Sequence, residues 1–122
     1  MAKTIMIVDD STSLRQVVGI TLKRAGFDVI EAGDGLQALD KLDGRKINLI
    51  ISDVNMPNMD GISFVSMAKQ RPAYRFTPVI MLTTEVSEDK KRAGQAAGAR
   101  AWMVKPFQPE QMLMAVTKLI AA

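Results

Sequence analysis

Five short apolar runs punctuate the chain: Thr4–Val8, Asp28–Glu31, Asn48–Ser52, Pro78–Leu82 and Ala101–Val104. Apart from the second, which is flanked by acids, they are nearly unbroken in Ile, Val, Leu and Met. Continuous apolar runs of this length suit strands covered on both faces, as in a parallel sheet. The intervening stretches have helical spacing. Leu14, Val17, Val18, Leu22 and Ala25 share one face, Ser11 or Thr12 suits the N-cap, and Gly26 suits the C-terminal cap. Further helices are predicted over Gly35–Leu42, Gly61–Gln70 and Ser87–Ala97. Ser87 would cap the last of these, with Glu88 and Asp89 in its first turn and Gly98 just past its end. Gly94 inside it costs about 1 kcal/mol relative to Ala. Pro109 opens a fifth helix, with Met112, Val116, Leu119 and Ile120 as its apolar stripe. Five β-α units in succession predict a doubly wound α/β fold: a five-stranded parallel sheet with right-handed crossovers and helices on both faces. No repeat or linker interrupts residues 1–122, which fit one domain.

Composition narrows the class. With 48% hydrophobic and 24% charged residues, the chain has the profile of a folded globular domain. It contains neither cysteine nor histidine. That removes disulfides, thiolate zinc sites, imidazole catalysis and phosphohistidine. The apolar run after Met1 stops at Asp9, too short for a secretory signal, and no run approaches the ~20 apolar residues of a membrane span. A cytoplasmic protein with no membrane partner is expected. The net charge is +3, but the cations are scattered. The one dense run, Lys90-Lys91-Arg92, reads as a solvated helix face, so no nucleic-acid partner is expected.

Ligands of an open parallel sheet bind at the carboxyl ends of its strands. There the first run ends in Asp9-Asp10, the third in Asp53, the fourth in Thr83-Thr84 and the fifth in Lys105-Pro106. Taken singly, each has a plain alternative: a helix start, a turn residue, a helix cap, a surface turn. Together they bring three carboxylates, hydroxyls and an ammonium to one edge. Crowded carboxylates repel one another unless a cation joins them. Mg²⁺ is the expected cation, because it takes hard oxygen ligands and keeps several waters. The backbone carbonyl of Asn55 could add a ligand. A carboxylate can attack phosphorus to give an aspartyl-phosphate, a reaction governed by positioning and charge. Lys105 and the Thr83 hydroxyl could stabilise the phosphoryl oxygens.

The motifs Val8-Asp9-Asp10, Ser52-Asp53-Val54-Asn55-Met56-Pro57 with Met59-Asp60-Gly61, Leu82-Thr83-Thr84 and Val104-Lys105-Pro106-Phe107 resemble the receiver domains of two-component response regulators. The resemblance spans essentially the whole chain and is strongest to the single-domain chemotaxis regulators of the CheY type. It implies a flavodoxin-like (βα)5 fold of strand order 2-1-3-4-5. It also implies Asp53 as phosphoacceptor, Mg²⁺ held by Asp9, Asp10, Asp53 and the Asn55 carbonyl, and Thr83 and Lys105 reading the phosphoryl group. Lys105-Pro106 would be a cis peptide. Trp102 falls at the aromatic switch position, where the family commonly has Tyr or Phe. The implied partners are a CheA-like histidine kinase and an output protein docking on the fourth helix, fifth strand and fifth helix, a flagellar motor switch protein being one candidate. The implied protein is a monomeric phosphoacceptor switch that catalyses its own phosphorylation and dephosphorylation, and is not otherwise an enzyme. A phosphorelay intermediate, passing its phosphoryl group to another histidine protein, is the alternative within this class. A flavodoxin-type electron carrier fits less well, since Asp9-Asp10 would repel an FMN phosphate. An aspartate-based metabolite phosphatase would need an Asp-x-Asp pair where the acids here are adjacent.

Overall fold

The computed structural model describes residues 3–84 and 88–121. The expected alternation is present: β1 Thr4–Val8, α1 Thr12–Arg24, β2 Asp28–Ala32, α2 Gly35–Lys41, β3 Leu49–Asp53, α3 Gly61–Gln70, β4 Val79–Thr83, α4 Glu88–Ala97, β5 Ala101–Val104 and α5 Pro109–Ala121. Every strand pairing is parallel and the order is β2-β1-β3-β4-β5. Ser11 caps α1, its hydroxyl accepting from the Leu14 N–H. Asp60 caps α3 in the same way through the Ser63 N–H. The Ser87 cap expected for α4 lies outside the described residues.

Three strands end later than their apolar runs. β3 and β4 each begin and end one residue later than predicted, and β2 continues to Ala32. Asn48 brackets β3 instead of opening it: its side-chain oxygen accepts from the Thr4 N–H at 2.9 Å. Pro78 has no N–H to give to the ladder, and only its carbonyl takes part, accepting from Ile50 at 3.0 Å. The shift makes Asp53 the last residue of β3 and Thr83 the last of β4. A 3-10 turn, Pro72–Tyr74, follows α3 and has no apolar periodicity to predict it. Its buried Tyr74 hydroxyl donates to the Arg45 carbonyl and accepts from the Gly44 N–H.

Strand residues alternate between two cores. Ile5, Ile7, Leu49, Ile51, Ile80 and Leu82 pack with Val18 and Leu22 of α1 and Met112 and Val116 of α5. Met6, Val8, Ile50, Val79 and Met81 pack on the opposite face with Ala38, Leu39, Phe64, Val65 and Ala68 of α2 and α3. The sheet is thus covered on both sides, and its polar groups collect where the strands end.

Candidate functional site

Asp9 directly follows β1 and is fully buried. Its Oδ1 accepts from the Ser11 N–H at 2.8 Å, and its Oδ2 from Lys105 Nζ at 2.8 Å. Lys105 Nζ also lies 3.2 Å from Oδ2 of Asp53, which the β1–β3 pairing brings alongside. Asp10 is exposed at the mouth. Carboxylate oxygens of Asp9, Asp10 and Asp53 all lie within 4.8 Å of one another. Thr83 is fully buried at the end of β4, and its carbonyl accepts from the Lys105 N–H at 2.7 Å. The Lys105-Pro106 peptide is cis. The structure therefore brings together Asp9, Asp10, Asp53, Thr83 and Lys105 from four strand ends. Asn55 lies just beyond Asp53 in the next loop, and Trp102 lies on β5 away from the acids.

The electrostatics are unbalanced. Burial, and then the charge of Asp9, push the Asp53 carboxyl above its ordinary range, against the pull of Lys105. Burial disfavours the Lys105 ammonium, yet Asp9 and Asp53 outweigh it and hold its pKa above the usual lysine value. One ammonium is shared by two buried carboxylates, with a third at the rim. A set of hard carboxylate oxygens with excess negative charge suits a divalent cation such as Mg²⁺.

Arg15 and Gly61 buttress these groups. The Arg15 guanidinium donates to the Asp9 carbonyl at 2.5 Å and pairs with Glu31 at 3.1 Å. Only the placing of β2 beside β1 reveals that trio. At Gly61 the start of α3 presses on the end of β3, so a Cβ would lie 1.9 Å from the Asp53 carbonyl oxygen. Any side chain there would force the loop off Asp53. Trp102 sits opposite Met81 on β4, and its ring lies over α4. A Cβ on Gly94 would fall 2.4 Å from Cζ3 of the indole. The glycine that weakens α4 is thus the notch that admits the Trp102 ring.

A parallel sheet of this order with an acidic edge and a lysine from the fifth strand defines a response regulator receiver. Residues 5–117 match the response regulator receiver domain, and the chain belongs to that family. PilG of Pseudomonas aeruginosa is 37% identical over 92% of this chain and 83% of that protein. Chemotaxis protein CheY1 of Helicobacter pylori is 36% identical, covering 87% of each. The solved structure of chemotaxis protein CheY4 of Vibrio cholerae superposes with a TM-score of 0.93 at 46% identity, covering 98% of this chain and 99% of that one. The chain is thus a two-component receiver close to the CheY chemotaxis proteins.

Proposed function

We propose that residues 1–122 act as one receiver unit that accepts a phosphoryl group on Asp53 from a histidine kinase and thereby changes its affinity for an output partner. The observation that carries this reading is the placement of Lys105 Nζ, 2.8 Å from Asp9 and 3.2 Å from Asp53, inside an acidic pocket. That contact orders the carboxylate of Asp53 and puts a fixed positive charge where phosphoryl oxygens would gather. A carboxylate oxygen of Asp53 forms the new P–O bond. The P–N bond to the donor imidazole breaks, and the departing nitrogen takes the electron pair. Lys105 and the Thr83 hydroxyl hold the transferred oxygens. Asp9, Asp10, Asp53 and the Asn55 carbonyl would hold Mg²⁺, which when bound supplies the charge that offsets these carboxylates and the incoming phosphoryl group. Hydrolysis of the same P–O bond resets the switch.

The kinase is of the CheA type, and chemotaxis is the pathway supported by likeness to proteins named for it. The output partner, for which a flagellar motor switch protein is a candidate, docks on α4, β5 and α5. Exposed Val104 and Met114 offer apolar contacts there. The protein works in the cytoplasm as a monomer; among the described residues no helix is long and apolar enough to cross a membrane. Incubation with phosphoramidate and Mg²⁺ tests the reading by mass spectrometry. One phosphoryl group is expected on the parent and none on Asp53→Asn, and equal labelling of the two would refute the assignment.

A further inference from the structure

The loop from β3 to α3 is pinched at its base, where the Gly61 N–H donates to the Val54 carbonyl at 2.7 Å. Residues 55–60 arch out between those points. Asn58 adopts a left-handed φ of 68°, alone among the described non-glycine residues. Asparagine tolerates that conformation better than most residues, so the arch has a defined turn there. Its side-chain amide donates to Oδ2 of Asp34 at 2.9 Å. Asp34 is nearly buried and belongs to another corner of the fold, between β2 and α2. Its Oδ1 accepts from the Gln37 N–H at 2.9 Å and caps α2. One carboxylate thus holds a helix with one oxygen and the arch with the other. The Gln37 N–H and the Asn58 amide keep the Asp34 carboxyl below the ordinary aspartate range, so it is ionised at neutral pH and its hydrogen bonds are charge-assisted.

We propose that Asp34 and Asn58 form a latch that fixes the arch, and with it the Asn55 carbonyl, at the metal-binding edge of the site. Both are positioning residues: Asp34 is not among the carboxylates clustered at that edge, and Asn58 acts through the arch that it holds. The inference rests on the reading of Asn55 as a Mg²⁺ ligand. Mg²⁺ demands near-octahedral geometry and gives up its waters reluctantly, so a ligand on a wandering loop binds it poorly. Outer-shell partners of this kind orient the ligands they touch.

The test uses the intact protein and Mg²⁺ titrations read by melting temperature, with chelator-treated samples as the baseline. Asn58→Gly keeps the left-handed turn and removes the amide. Asp34→Ser keeps a helix cap but is too short to reach Asn58. Each should weaken Mg²⁺ binding about tenfold, the low end of what loss of an outer-shell partner costs. The double variant should be no weaker than the poorer single one, because both remove one contact. Unchanged Mg²⁺ affinity in the two single variants would overturn the latch alone. So would losses that multiply in the double variant. A parent protein whose melting ignores Mg²⁺ would overturn the metal reading and the latch with it.

Discussion

Lys105 and Asp53 show how the site trades stability for chemistry at the scale of single residues. Asp53 is buried beside Asp9, and its carboxyl is held above the ordinary range. The folded chain therefore binds that proton more tightly than the unfolded chain. Its contribution to stability is fully present below the unfolded-state value of about 3.9 and is lost as pH rises through the raised native value. In Mg²⁺-free buffer Asp53→Asn should accordingly melt higher than the parent at neutral pH, and the gap should close as the pH falls toward 4. Paired melting curves across that range check the sign; a gap independent of pH would contradict it. Lys105→Met should do the opposite, leaving buried carboxylates uncompensated at a cost of about 3 kcal/mol, measurable by urea unfolding. The residues behind these predictions were legible in the sequence, because strand ends can be read from apolar runs. Arg15, Glu31, Asp34 and Asn58 were not. Their roles depend on which strand lies beside which, and periodicity carries no such information.

Most of the described residues of α4 are exposed. Its sequence is mostly charged or small, and Gly94 interrupts its second half. On propensity alone Gly94→Ala should stabilise the helix by about 1 kcal/mol. The Trp102 ring reverses that expectation, since a Cβ 2.4 Å from Cζ3 cannot be accommodated without moving the ring or the helix. Overpacking of this kind costs about 1–3 kcal/mol. Gly94→Ala should therefore destabilise the parent but stabilise a Trp102→Ala variant, where the notch has nothing to admit. Thermal unfolding of the four proteins gives the cycle, and the same sign in both backgrounds would show that ring and glycine are uncoupled. Trp102 is the sole tryptophan, so its emission in Gly94→Ala reports displacement of the ring directly. In the sequence, Trp102 stands where the family commonly has Tyr or Phe, and Gly94 stands as a residue that weakens its helix. Each explains the other once α4 is laid against β5. The shifted starts of β3 and β4 have a local origin: Asn48 takes up the Thr4 N–H with its side chain and not its carbonyl, and Pro78 has no N–H to give, so each flanks its strand with only half of its backbone in the ladder.

Across the whole molecule, parallel strands deliver Asp9, Asp10 and Asp53 to one end without any of them being near the others in the chain, save the adjacent pair. The sheet is packed on both faces, and close packing of this kind resists any spreading of Asp9 and Asp53 to relieve repulsion. A cation that joins them therefore stabilises the entire fold. At tenfold its Kd, a ligand specific for the native state contributes about 1.4 kcal/mol. For a chain of this size that is a rise of about 5 °C in melting temperature. Asp9 and Asp10 should respond differently when removed. Asp10 is exposed and makes no ion pair with Lys105, so Asp10→Ala should abolish most of the Mg²⁺-dependent rise while leaving the metal-free melting temperature at or above that of the parent. Asp9 is fully buried and shares a hydrogen bond with Lys105. Asp9→Ala should also abolish the rise, but it strips Lys105 of its nearer partner and should lower the metal-free melting temperature. Differential scanning calorimetry of the parent and both variants, with chelator and with millimolar Mg²⁺, separates the two outcomes. A full Mg²⁺-dependent rise in either variant would remove that carboxylate from the metal site.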